Sequence, residues 1–237
     1  MEKKARGATR ERILDEAFFL FAERGYHAVP VRDIAEAAGI KDASLYNHFP
    51  SKQAMFDAII ERELARARDA FVPQGVMFLE TDDPSGYDPG DPEELARHVL
   101  GSYRYFFEDE SMVRLRRLLV VSQFHSDEAR RAYRLIFVEQ PLALQRVVFE
   151  HCMATGSFAR DDAAQMALEF HGPVFLMLHA GMTWDEAEPR LAVHVKRFTA
   201  RHRVHGDSDA GALPKEDSKA SEPLIVSPDV KREGSPQ

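Results

Sequence analysis

The chain lacks most of what would mark it as secreted, membrane-embedded or catalytic. It has one cysteine, Cys152, so no disulfide framework can form within it. A lone thiol fits a reducing cytoplasm, which is the expected location. Apolar runs such as Val174 to Leu178 fall far short of the ~20 residues that span a bilayer, so no membrane partner is expected. The opening MEKKARGATRER is basic but has no apolar core of the signal-peptide kind. No segment alternates as a convincing strand, and no internal repeat is visible. There is no Gly-rich phosphate loop, no His-Glu-x-x-His, no Glu-x-x-His of the di-iron kind and no nucleophile elbow. An enzyme is therefore not expected, nor is a cofactor. Basic excess is also missing: the net charge is −8, which counts mildly against a nucleic-acid partner.

The distribution of charge matters more than its sum. Lys3, Lys4, Arg6, Arg10 and Arg12 outnumber Glu2 and Glu11 at the start. Much of the acid lies elsewhere, at Asp82 and Asp83 and in a tail carrying Asp207, Asp209, Glu216, Asp217, Glu222, Asp229 and Glu233. A basic arm on a weakly charged head can still grip phosphate locally.

Apolar spacing predicts an all-α protein. A first helix runs from about Thr9 to Arg24 on Ile13, Leu14, Ala17, Phe18, Leu20 and Phe21, and Gly25 closes it. A second covers about Val31 to Ala38, Gly39 supplies a sharp turn, and a third runs from about Asp42 to His48. Ser51 caps a long fourth helix reaching Arg68. Prolines and glycines break the pattern from Phe71 to Gly90. Helices follow over Asp91 to Glu108, with Asp91 as cap, and Met112 to His125. The next runs from a Ser126 cap to about Ala154, with a kink at Pro141. Asp161 or Asp162 opens the next, which is apolar on several faces. Thr183 with Glu186 forms a capping box for the last, although Pro189 could shift its start to about Glu188. The expected organisation is a head over 1–52 with a connecting helix at about 51–70, a body over 71–205, and a disordered acidic tail over 206–237.

Val31 to Lys52, VRDIAEAAGIKDASLYNHFPSK, carries most of the functional information. It is laid out as helix, tight turn, short helix, then a cap opening a further helix. This is how a chain presents a helix to the major groove of DNA. Three-helix packing alone explains Ile34, Leu45, Phe49 and Ile59. It does not explain a short helix with Ser44, Tyr46, Asn47 and His48 around one strong anchor, Leu45. Such side chains suit base edges and phosphates.

ILDEAFFLFAERGY, VRDIAEAAGI and SLYNHFPSK together resemble the N-terminal domain of TetR-family regulators, over roughly the first quarter of the chain. The resemblance implies a ligand-controlled repressor that binds a pseudo-palindromic operator as a homodimer. It makes the helix from Asp42 to His48 the recognition helix. Lys41, Asp42, Ala43, Ser44, Tyr46 and Asn47 become candidates for the groove. Tyr46, His48 and Lys52 match positions near phosphate, and Thr9, Tyr26 and Arg32 are further candidates. Tyr26 could equally pack beneath the first turn. Two departures stand out. Val29-Pro30-Val31 offers no hydroxyl before the second helix, and Lys41-Asp42 replaces the usual small polar cap and basic residue. Asp42 could cap the recognition helix and accept from a cytosine amino group, but would repel phosphate. A competing class is an adaptor of the same fold that reads no specific DNA.

The resemblance also places dimerisation on two C-terminal helices, with Phe170, Val174, Met177, Leu178, Leu191, Val195 and Phe198 as candidates. The breadth of apolar surface on the first of them supports this independently. The remaining helices would enclose an effector cavity, with Tyr103, Phe106, Phe107, Leu118, Val121, Phe124, His125, Phe137, Phe149, Phe170, His171 and Phe175 as candidate walls. Many aromatics and few fixed charges favour an apolar or aromatic small molecule. No metal is expected. His151 and Cys152 point about 100 degrees apart on a helix, and His171 and His179 stand roughly 12 Å apart by helical rise.

Overall fold

The computed structural model describes residues 2–71, 73, 76–88 and 92–204. The expected Asp91 cap and the expected tail disorder over 206–237 lie outside them. The protein is all-α. Its helices are α1 (Glu2–Arg24), α2 (Val31–Ala37), α3 (Asp42–Tyr46), α4 (Lys52–Phe71), α5 (Pro92–Glu108), α6 (Glu110–Ser122), α7 (Asp127–Arg134), α8 (Gln140–Ala154), α9 (Ala163–His179) and α10 (Trp184–His202). Among the described residues the only β-type pairing is an isolated bridge between Phe158 and Arg203.

Most boundaries follow from local chemistry. Gly25 takes φ of 82°, the left-handed conformation that ends α1 at the expected place. Ser51 Oγ accepts from Ala54 N at 3.0 Å and opens α4. Asp109, not foreseen as a cap, accepts from Met112 N and starts α6 two residues early. Asp162 caps α9. The Thr183–Glu186 capping box forms, so Pro189 does not delay α10.

Two boundaries differ from expectation. Helix α1 begins at Glu2 rather than about Thr9, so the basic arm is helical. Helix α3 ends at Tyr46, and Asn47 and His48 form a turn beyond it. The expected kink at Pro141 is a π-turn over Leu135–Glu139 between α7 and α8. Pro141 has no N–H to offer Phe137 O four residues back. His171 Nε2, from α9, donates to that oxygen at 2.8 Å.

One apolar core joins the head to α6. Phe18, Phe21, Ile34, Leu45, Phe49, Met55, Phe56 and Ile59 share it with Met112, Leu115, Leu118 and Leu119. Tyr26 N donates to Ser122 Oγ at 3.2 Å, and Arg117 pairs with Glu23 at 2.8 Å. The head and the body are therefore divided by role, not by a break in packing. A second cluster joins Leu95, Val99, Phe149, Phe170, Val195 and Phe198, and a third joins Phe107, Val174, Met177, Leu178, Trp184 and Leu191.

Candidate nucleic-acid interface and effector cavity

The helix-turn-helix is built on very few anchors. After α2, Ala38 N donates to Ile34 O, and Gly39 turns the chain at φ of 65°. No heavy atom lies within 4 Å of a Cβ placed at Gly39, so its requirement is conformational rather than steric. Lys41 O then accepts from Ser44 N at 2.8 Å and starts α3. The N-cap is Lys41 in extended backbone and makes no side-chain cap; Asp42 is the first helical residue, so the capping role expected of it is not what starts the helix. Pro30 caps α2 in the same backbone-only way.

Leu45 is the one buried residue of α3, at 0% exposure. Burying such a side chain contributes about 1.5–3 kcal/mol. Phe49 locks the turn that follows. Everything else on this helix is available to a partner. Lys41, Asp42, Ala43 and Asn47 are exposed, Tyr46 is 53% exposed, and Ser44 and His48 are half-buried. Arg32 projects from α2 with its side chain 76% exposed.

The extended α1 adds residues that spacing alone did not bring to the site. Arg6 Nη2 donates to Asn47 O at 3.0 Å, where the carbonyls at the end of a helix favour a cation. The Arg10 guanidinium lies 4.7 Å from the centre of the Phe49 ring. Arg6, Gly7, Arg10, Asn47 and His48 line a shallow cleft beside the recognition helix. Only the basic composition of the N-terminus hinted at this. Thr9 is half-buried on the same helix.

Two candidates turn inward. Tyr26 packs edge-on against Phe21 and Phe56, and its hydroxyl donates to Gln53 Oε1 at 2.9 Å. Its packing role is the one realised. Lys52 Nζ sits 4.5 Å from the Tyr26 ring centre and donates to His27 O at 3.4 Å. Burial lowers the pKa of this ammonium below the usual lysine value. Lys52 therefore braces the head, and any phosphate contact would come from the same half-buried ammonium.

The body encloses a cavity of about 160 Å³. Its walls come from α4 (Leu64, Ala67, Phe71), α5 (Leu95, Val99, Tyr103, Phe106), the π-turn and α8 (Phe137, Gln145, Phe149, Cys152), α9 (Phe170, His171, Leu178) and α10 (Val195, Phe198). No Asp, Glu, Lys or Arg is among its described walls. Burial and nearby Asp88 push the Cys152 thiol up to about 12, so it is an unreactive wall.

Six expected wall residues line the cavity: Tyr103, Phe106, Phe137, Phe149, Phe170 and His171. The others do not. Phe107 packs on Trp184, Phe175 stacks on His179 at 4.0 Å, and Leu118 belongs to the head core. Val121, Phe124 and His125 are exposed at the end of α6, with Phe124 at 77%. The expected dimer residues are all buried within the protomer. Phe170, Leu178, Val195 and Phe198 line the cavity, while Val174, Met177 and Leu191 pack around Trp184. The apolar residues that α9 and α10 leave exposed are instead Leu168, Leu176 and Val193. On α9, Leu168, Gly172, Leu176 and Ala180 recur every fourth position and are all exposed.

His171 and His179 each bind a backbone carbonyl, and burial holds both below the usual imidazole pKa. Among the described residues no group of three or more His, Cys, Asp or Glu side chains could hold a metal.

These features define a helix-turn-helix head continuous with a hollow helical body. The family model described as "Bacterial regulatory proteins, tetR family" matches residues 13–59. Over that stretch the chain is similar to the tetR family of bacterial regulatory proteins. It is 51% identical over 59 residues to the HTH-type transcriptional repressor KstR2 of Rhodococcus jostii (strain RHA1), covering 25% of this chain and 29% of that protein. It is 40% identical over 76 residues to the HTH-type transcriptional regulator UidR of Escherichia coli (strain K12), covering 30% and 38%. The chain thus matches only about a third of the length of these curated relatives. The fold likeness reaches further. The Flavonoid-responsive Regulator FrrA aligns with 84% of this chain and 100% of its own, at a TM-score of 0.60 and 23% identity. These proteins are named as regulators, and none as an enzyme.

Proposed function

We propose that the protein is a DNA-binding transcriptional regulator, acting as a repressor that a small apolar or aromatic molecule releases from its operator. The observation that carries this reading is α3: a helix held by Leu45 alone, with its polar side chains outward and Arg6 and Arg10 beside its end. In this reading Ala43, Ser44, Tyr46 and Asn47 face base edges, while Arg6, Arg10, Arg32, Lys41 and His48 meet phosphates.

A symmetric dimer delivers two such helices to successive major grooves. The surface supporting it is the exposed face of α9 and α10, with Leu168, Gly172, Leu176 and Ala180 on one helix and Pro189 and Val193 on the other. Two copies of this pair would form a four-helix seam about a two-fold axis.

Coupling runs along α4. Its first half carries Met55, Phe56 and Ile59 in the head core, and its second half carries Leu64, Ala67 and Phe71 in the cavity wall. A ligand that moves the second half moves the first, and the distance between the two recognition helices changes. FrrA, a regulator of this fold, is named as flavonoid-responsive, which agrees with the proposal.

The test is anisotropy with duplexes from the gene's own promoter region. Specific binding that weakens steeply with salt is expected. Binding no tighter than to unrelated DNA would leave the adaptor reading in its place.

A further inference from the structure

The cavity is apolar, and the two side-chain atoms of its described wall that are buried without a partner are both acceptors. His171 Nε2 faces Phe137 O at 2.8 Å. A carbonyl oxygen only accepts, so Nε2 holds the ring proton and Nδ1 is left as a bare acceptor. That Nδ1 is buried and has no partner in the protein. Gln145 Nε2 donates to the Tyr103 hydroxyl at 2.7 Å, and Gln145 Oε1 is likewise buried and without a partner. Both residues line the cavity, one from α9 and one from α8. A buried acceptor left unpaired is destabilising, so native proteins rarely keep one without use.

The rest of the wall sharpens this. With no Asp, Glu, Lys or Arg among its described residues, nothing compensates an ionised ligand group. A carboxylate or phosphate would bring further acceptors to a site already holding two. A hydroxyl would bring the donor both atoms lack.

We propose that the effector cavity selects a neutral, largely apolar molecule bearing hydroxyl or N–H donors, which Gln145 Oε1 and His171 Nδ1 accept, and rejects anionic ligands of the same shape. This rests on reading the cavity as the effector site, and it adds the polarity of the ligand to that reading. Burial keeps the Tyr103 phenol neutral, and its oxygen accepts from Gln145 Nε2.

The experiment uses the full chain and three probes of nearly one shape: 4-hydroxybiphenyl, 4-methoxybiphenyl and biphenyl-4-carboxylate. Calorimetry should show the phenol binding at least tenfold more tightly than the ether, with the carboxylate weakest. Gln145→Leu should cut the phenol's advantage over the ether to threefold or less while leaving the ether's affinity nearly unchanged. Ether or carboxylate binding as tight as the phenol overturns the proposal, and so does no binding of the phenol at millimolar concentration. The wild-type comparison stands even if the variant misfolds. Operator binding by the same preparation without probe reports separately on the DNA-reading claim, so the two failures are distinguishable.

Discussion

Arg62→Met addresses the junction through which a body signal would reach the head. Glu63 is a carboxylate at 1% exposure on α4. Arg62 Nε meets it at 2.9 Å, and Arg66 Nη1 stands at 3.5 Å. Arg62 also reaches α1, with Nη1 at 2.8 Å from Asp15 and 3.4 Å from Glu11. Stripping one partner from a buried pair costs about 3–5 kcal/mol. Arg66 stays in place and solvent still reaches Arg62, so we expect a cost below that range, about 2–3 kcal/mol. The links to exposed Asp15 and Glu11 add less than about 1 kcal/mol. Replacing both residues, as R62M/E63M, removes the stranded charge and should recover most of the loss, giving a coupling of at least ~1 kcal/mol. Urea unfolding at unchanged m reads these differences as shifts in midpoint. A cost below about 0.5 kcal/mol for R62M, or additive single and double variants, would refute the reasoning.

Other perturbations have defined outcomes. Gly39→Val should destabilise by roughly 1–2 kcal/mol through backbone strain alone, since a Cβ meets nothing there, and operator affinity should fall with it. His171 and His179 are both held below the usual value of 6.5, chiefly by burial. Their folded pKa values lie below the unfolded ones, so stability is full above about pH 6.5 and declines as pH falls below it. The slope is at most about 1.4 kcal/mol per pH unit for each histidine, and His171→Gln should flatten it; unchanged stability from pH 7.5 to 5.5 would contradict this. With its thiol at about 12 and 1% exposure, Cys152 should resist alkylation at pH 8 until the protein is unfolded. Labelling as fast as a free thiol would show the cavity wall to be open.

The head was the legible part. Its turn needs glycine, its anchors recur at helical spacing, and its caps are local, so sequence alone carried Val31 to Lys52 nearly residue by residue. The body was not. Helix α9 is apolar on more than one face, and spacing cannot tell the face that meets the cavity from the face left for a partner. Phe170 was thus expected at both cavity and interface and Leu178 at the interface alone; both line the cavity, while Leu168 and Leu176 are the exposed pair. The four-residue rhythm of Leu168, Gly172, Leu176 and Ala180 was present in the chain and separates that face from the buried one. The tie between His171 and Phe137 O was beyond reach, because it joins residues 34 apart through a carbonyl that Pro141 cannot serve. Phe124 failed for a different reason: an aromatic at a helix end signals burial only on average.

The central claim is that α3 reads DNA. Its most direct test is anisotropy of the full chain on its own promoter duplexes, with the same titration on Asn47→Ala and Tyr46→Ala. The account predicts tight binding to a duplex holding an inverted repeat, two chains per site, with at least a tenfold loss in each variant and unchanged thermal stability. Equal affinity for repeat-bearing and unrelated DNA, or variants that bind as the parent does, would contradict it.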